Sequence, residues 1–323
     1  MKKLQSLLVF CMLFVSATYA QEVEHSFKET YDMSLPVQLM VYSSDGNIDV
    51  VSSQGNKIEV FYVARRNNKV LKVSREAVEE ELILEVTHDK NSLKIVVKNR
   101  KEDFSFFSTD RIHVNFRIHV PKETLSDLKT SDGNISLVGL TGDQQCKTSD
   151  GNIRIANVQG NITGRTSDGD ISVNEVKGSV GISTSDGNVE LNNIVGDVTS
   201  STSDGNIMLT NVEGNTSAKT SDGHITFKEL SGSLTGSTTD GNIRGNFVQL
   251  KRQLTARTGD GNIDITIPDQ LGLDLDINGE SLHVPLNNFS GKSDERYIRG
   301  TSNGGGIPVK LSTSDGNVTL AYR

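Results

Sequence analysis

The chain has almost nothing with which to cross-link itself. Its 323 residues hold two cysteines, Cys11 and Cys146. Cys11 sits in the middle of an apolar run near the start, with six residues of that run still after it, which is not the placement of a lipid-acylated cysteine. Once that segment is removed Cys146 stands alone, and a lone thiol makes no internal disulfide. Stability must then come from packing and backbone hydrogen bonds. Long hydrophobic runs are also missing. The one candidate, "LQSLLVFCMLFVSA", is 14 residues, short of the ~20 that span a bilayer. With Lys2 and Lys3 before it and "TYA" ahead of Gln21, it reads as a signal peptide over 1–20, so the mature chain starts near Gln21 and is exported. Positive charge is sparse too. Lys and Arg number 33 against 41 Asp and Glu, a formal charge of −8, and loss of Lys2 and Lys3 takes it to about −10. Nucleic-acid binding needs clustered Lys and Arg, and docking on anionic lipid needs the same. What remains is a self-repelling, soluble surface.

Catalytic signatures are missing as well: there is no P-loop, dinucleotide fingerprint, Cys/His zinc cluster or nucleophile elbow. His113, Arg117 and His119 share the polar face of one strand. The two histidines are six residues apart, about 20 Å along a strand, and do not share one metal ion. Carboxylates for polysaccharide cleavage would have to be paired at a defined separation, whereas Glu175, Glu190, Glu213 and Glu229 are scattered.

What the chain does have is repetition. Asp-Gly pairs begin at Asp45, Asp132, Asp150, Asp168, Asp186, Asp204, Asp222, Asp240, Asp260 and Asp315, and from Asp132 to Asp240 every interval is 18, followed by one of 20. A fixed short period is the signature of a solenoid and outranks local secondary-structure readings. Aligned on the Asp, positions three and five are apolar (Ile153 and Ile155, Ile171 and Val173), position eight is apolar (Val158, Val176), position ten is glycine (Gly160, Gly178), and position sixteen is threonine (Thr166, Thr184). Apolar residues two apart are strands with one buried face. The step from five to eight breaks that alternation and bends the chain. Each unit is two or three short strands with corners, one coil of a parallel β-solenoid, and parallel crossovers favour the right-handed form. Only Phe227, Phe247 and Phe289 follow residue 125, and small residues (Cys146, Gly164, Ser200, Ala218, Gly236) line one inner wall, so the core is thin.

The corner "TSDGN" has an expected division of labour. Gly133, Gly151, Gly169, Gly187, Gly205, Gly223 and Gly241, with the glycine at position ten, supply positive φ for tight turns. Asn134, Asn152, Asn188, Asn206 and Asn242 stack as an amide ladder, interrupted by Asp170 and His224. The Asp caps its own turn. A calcium ladder of Asp132, Asp150, Asp168, Asp186, Asp204, Asp222 and Asp240 is the alternative, but calcium wants six to eight oxygens and only one corner of each coil regularly carries a carboxylate. The threonine column resembles an ice-binding plane until alternation is applied, which turns it inward.

Outside the regular coils, "KIEVFYVAR", "LILEVTH", "SLKIVVKN" and "RIHVNFRIHVP" read as strands, and "SREAVEEEL" as one short helix. Residues 21–125 are then irregular coils and hairpins, 126–265 the regular repeats, and 266–323 the C-terminal coils and cap, in one continuous all-β domain. A solenoid needs closed ends, because open strand edges recruit other chains.

The "TSDGNI-x-(I/L)-x-x-(V/L)-x-G" coil, the "SREAVEEEL" element, the "HVPKETLSDLKTSDGNI" entry and the closing "GGGIPVKLSTSDGNVTL" resemble the bacterial envelope adhesin family, β-solenoid domains related to the head-GIN autotransporter adhesins. The resemblance covers nearly the whole mature chain. It implies a non-catalytic exported protein of the periplasm or cell surface with no cofactor, whose repetitive faces bind an envelope or extracellular protein or glycan. A calcium-stabilised secreted solenoid is the second reading, and a polysaccharide-active β-helix enzyme the third.

Overall fold

A computed structural model describes residues 24–100 and 111–323. The signal peptide expected over 1–20, with Cys11, lies outside the described residues.

The apolar columns become stacked strands. Ile135, Ile153, Ile171, Val189, Ile207, Ile225, Ile243, Ile263 and Val318 are successive register partners in parallel pairings. Each is at most 1% exposed, so one column of β-branched side chains runs nearly the length of the core. The two-residue periodicity holds over Ile153–Ile155 and within Ile162–Arg165. It fails where expected, between positions five and eight. The residue there, at position seven, is left-handed: Asn157, Glu175, Asn193, Asn211 and Glu229 have φ of 53–58°. Asn accepts that region readily; Glu does so at some strain. Sequence reading placed the bend and missed its hinge.

Glycine serves two different purposes. At position ten it does take positive φ, as in Gly160 at +150°. The Asp-Gly glycines do not, and their expected role is corrected here. A Cβ on Gly187 would lie 1.9 Å from the carbonyl oxygen of Gly169 in the coil below. The corners approach so closely that only a hydrogen fits. One inner wall also works by complementarity. Gly164 leaves the space that the Ile182 side chain fills, since a Cβ there would meet it at 2.9 Å.

Both ends are closed by strands written out of order. At the bottom, Val37–Tyr42 and Ile48–Ser53 form a coil that pairs upward with Thr124–Lys129 and Ile135–Val138. The same two strands pair downward with Ser92–Asn99 and His113–Pro121, so the earliest coil lies one level inside the stack. Lys57–Arg66 and Leu82–His88 then add antiparallel edges. The expected helix forms at Arg75–Glu81, and its Val78 is fully buried in the core cluster. At the top, Ile307–Ser312 and Asn317–Tyr322 pair downward with Ile243–Arg257 and Ile263–Ile267, and upward with Leu273–Asn278 and Ser281–His283. The final "TSDGNVTLAY" coil is therefore not the outermost level, because the excursion that precedes it in sequence lies beyond it. The described strands form one hydrogen-bonded sheet system.

Candidate functional site: corner ladders and an outward groove

The repeated corner is a hydrogen-bonded joint. Ser149 and Asp150 donate their N–H groups to Ser131 O of the coil below at 2.8 and 3.0 Å. The Thr148 hydroxyl faces Ser131 O at 2.9 Å and Gly133 O at 3.0 Å, and accepts the Gly151 N–H at 3.3 Å. The same threonine pattern recurs at Thr166, Thr184, Thr202, Thr220 and Thr238. These threonines are 2–8% exposed, inward as alternation requires. A buried hydroxyl here satisfies the glycine carbonyl that the turn leaves without a backbone donor.

The asparagine ladder exists in a different form. Each Oδ1 accepts the backbone N–H of the equivalent residue one coil on, as Asn134 does from Asn152 at 2.8 Å. Any side-chain acceptor of that reach serves. Asp170 takes the Asn188 N–H at 2.8 Å, and His224 takes the Asn242 N–H on Nδ1 at 3.0 Å. The expected interruptions are rungs. The ladder runs from Asn115, which accepts the Asn47 N–H at 2.9 Å, to Asn317 at the far end.

The Asp column does not cap its turns. Asp132, Asp150, Asp168, Asp186, Asp204, Asp222 and Asp240 are exposed, and the corner bonds are made by their backbone N–H groups, with no side-chain oxygen of theirs bonded. Burial, then repulsion from Asp45 and Asp150, pushes the Asp132 carboxyl above its ordinary value. Among the described residues no group of three or more His, Cys, Asp or Glu is arranged to hold a metal ion. Cys146 is buried, and burial, with the Asp127 carboxylate adding, pushes its thiol up to about 12; at neutral pH it is a packing residue rather than a nucleophile. His119 is engaged with Glu59 at 3.5 Å and with the Phe61 ring at 5.1 Å, away from any metal role.

A feature the sequence reading passed over lies on the outward side of Val198–Ser201 and its neighbours above. Asp197, Thr199, Asn215, Ser217, Ser233, Thr235, Arg252 and Gln253 line a groove of about 420 Å³. Asp197 accepts Asn215 Nδ2 at 3.0 Å, and the Ser233 hydroxyl donates to Asn215 Oδ1 at 2.9 Å, which fixes the orientation of these groups. Thr199, Ser217 and Thr235 form an exposed hydroxyl row at successive levels. Arg252 and Gln253 belong to a bulged stretch where the register shifts, and Gln253 reaches down to the Thr235 hydroxyl at 3.3 Å. The signal was the single interval of 20: the two added residues swing out as the rim.

The fold has known relatives. The model of the Toastrack DUF4097 family matches residues 37–228 and 214–321, and the chain belongs to that family. Among solved structures, it is similar to a "putative adhesin" from Bacteroides fragilis, at 13% identity over 92% of this chain and 96% of that one, TM-score 0.35. Another "putative adhesin", from Parabacteroides distasonis, shows 16% identity over 91% and 96%, TM-score 0.35. A "putative lipid binding protein" from the same organism shows 15% identity over 74% and 96%, TM-score 0.36. No curated protein matches the chain. No helix among the described residues is long and apolar enough to cross a membrane.

Proposed function

We propose that the protein is an exported, non-catalytic component of the cell envelope that holds a glycan strand along its outward groove. The observation that carries the reading is the groove's fixed column of carboxylate, amide and hydroxyl on three successive levels, beside a hydroxyl row that recurs level by level. A neighbouring side chain orients each of Asp197, Asn215 and Ser233 before any ligand arrives, which lowers the ordering cost of binding. Protein partners are usually met with aromatic or apolar anchors; this groove exposes hydroxyls, amides, one carboxylate and one guanidinium. Levels about 4.8 Å apart give a long ligand several weak contacts at once, so affinity rises with ligand length.

The test is binding of glycan oligomers of increasing length to the purified chain by surface plasmon resonance. Affinity that climbs with length, and a climb abolished in the triple variant Thr199→Ala, Ser217→Ala, Thr235→Ala, is the expected result. Oligomers of every length failing to bind, or binding the triple variant equally well, would remove the assignment.

A further inference from the structure

A second concavity lies far from the groove, on the outer face of the N-terminal sheet. Glu24, Asn47, Asp49, Val63, Arg65, Asn115, Phe116 and Arg117 enclose about 310 Å³. Arg117 stands directly opposite Asp49 on one side and Phe61 on the other, and Arg65 lies on the Phe61 strand four residues further along, about 13 Å at strand rise. Two guanidiniums thus enter the cavity from different directions.

Three sets of donors in this cavity are left over by the fold. Arg65 Nε is buried with no hydrogen-bond partner, and its Nη1 makes only one long contact, to Asn68 O at 3.5 Å. Arg117 is exposed, and it forms no ion pair with Asp49 despite facing it. Asn115 is the first rung of the amide ladder: its Oδ1 is taken by the Asn47 N–H, while higher rungs such as Asn188 and Asn206 turn Nδ2 onto the rung below. Asn115 has no rung below it, and its Nδ2 is left without a hydrogen bond on a residue that lines the cavity. Opposite these donors Asp49 and Glu24 offer oxygens. Burial raises the Asp49 carboxyl, with Arg117 pulling the other way. The arrangement suits a small ligand with a carboxylate at one end and hydroxyls at the other.

We propose that this cavity binds a carboxylated sugar, with Arg65 and Arg117 on the carboxylate, Asp49 and Asn115 on ring hydroxyls, and Val63 beneath the ring. Planar guanidiniums recognise carboxylates through charge-assisted, often bidentate, hydrogen bonds. The site is made by strands His113–Pro121, Lys57–Arg66 and Ile48–Ser53, none of which contributes to the outward groove, so its fate is separate from that of the glycan-strand reading.

Isothermal titration of the purified chain with glucuronate, glucose and acetate tests it. Saturable glucuronate binding, with glucose and acetate each weaker by about tenfold or more, is expected. Arg117→Gln should weaken glucuronate by about tenfold with little change in the melting temperature, because that side chain is exposed and makes no hydrogen bond or ion pair in the fold. Asp49→Asn should weaken glucuronate while leaving acetate unchanged. Arg65→Gln is the harsher variant, and Arg117→Gln decides the matter if it fails to fold. The proposal is overturned if acetate binds as tightly as glucuronate, if glucose does, if Arg117→Gln binds like the parent chain, or if glucuronate shows no saturable binding.

Discussion

Between residues 24 and 125 the side-chain contacts are made once; between 126 and 265 they recur one coil later. The N-terminal region joins Arg75 to Glu29 and Glu79, Lys28 to Glu59, and Arg66 to Glu81. It stacks Phe27 on Tyr62 at 4.4 Å and sets Tyr62 against Phe116 at 5.6 Å. In the regular coils the recurrent contact is a residue with its own copy. The aromatic pair there, Phe227 with Phe247 at 5.2 Å, falls at the entry to the irregular 20-residue interval. Repetition makes each joint cheap to specify and leaves every joint with the same weakness. Unique contacts cost more sequence and confine damage. In a stack where each level meets only its neighbours, stability is close to a sum of level and interface terms, so one fault in a joint is felt by the levels on both sides.

The largest effect should come from filling the space between corners. Gly187→Ala places a methyl where only 1.9 Å separates it from a backbone carbonyl, and no rotamer relieves it. The expected loss is at or beyond the upper end of the ~1–3 kcal/mol typical of overpacking. It should appear as a large fall in melting temperature, or as failure to recover folded protein. Gly55→Ala in the N-terminal region is the control. Gly55 has φ of +90° with open space around it, so the cost is the backbone strain alone, about 1 kcal/mol. Equal losses at the two sites would end the distinction between the regions. A smaller effect is expected from Thr184→Val, which keeps the shape and deletes the hydroxyl shared by Ser167 O, Gly169 O and the Gly187 N–H. About 1–3 kcal/mol should go, since buried backbone groups lose a partner, and Thr184→Ser should restore most of it.

Acid should separate the regions without any mutation. Burial alone would raise the Glu29 carboxyl, but hydrogen bonds from Tyr31 and Tyr62 and the Arg75 guanidinium outweigh it and hold it below its ordinary value. A depressed carboxylate stabilises the fold fully above its unfolded value, about 4.3, and that support drains away as pH falls through the lower folded value. Asp132 has the opposite sign. Its raised carboxyl weighs against the fold while ionised, and the penalty lifts as pH falls through the raised folded value, ending near the unfolded one, about 3.9. The chain has no tryptophan; Tyr31, Tyr42 and Tyr62 lie in the N-terminal region and Tyr297 and Tyr322 in the C-terminal cap, so near-ultraviolet circular dichroism reports on the two ends, more on the N-terminal one, and little on the regular coils. Below pH about 4 its signal should decay ahead of the far-ultraviolet β signal of the coils. Simultaneous loss of both would show the stack and its closure to be one cooperative unit.

How much of this was legible in the sequence follows the same division. Where the chain repeats, alignment averages away accident: the Ile153 column, the inward threonines and the bend before position eight were all readable from spacing. Three roles were not. Proximity between corners is a property of two coils, so one copy of "DGN" looks like a turn that needs positive φ when it needs only the absence of a Cβ. A ladder built on acceptors looks broken at Asp170 and His224 to a reading that expects amides. The outward groove depends on two added residues after Gln249, whose direction no periodicity fixes. In the N-terminal region strands and helix were recognisable as local patterns, but a coil slotted between strands written far later is a long-range pairing that composition does not carry. The Arg65–Arg117 cavity inherits that opacity, because it is made by residues brought together only by the slotting.

The smallest expected effect runs the other way. At position twelve the regular coils bury Ile162, Val180, Val198 and Leu234, with Gln144 and Thr216 as polar members; Thr216 Oγ1 is buried with no hydrogen-bond partner, and one level below, at position fourteen, the Ser200 hydroxyl is orphaned in the same manner. Thr216 departs from an apolar column and Ser200 belongs to the small-residue wall beside it, and neither hydroxyl supports a corner as Thr184 does. Thr216→Val is nearly the same shape and restores the column, so the chain should gain about 1 kcal/mol, the desolvation cost of an unpaired hydroxyl. Ser200→Ala should add a similar increment, and because Thr216 and Ser200 sit on adjacent levels the double variant tests whether the gains sum. The same threonine-to-valine change thus stabilises at Thr216 and destabilises at Thr184, 32 residues earlier in the chain. If Thr216→Val instead lowers the melting temperature, the hydroxyl has a partner within the core, and this stretch of the stack beneath the groove is wetter than its neighbours.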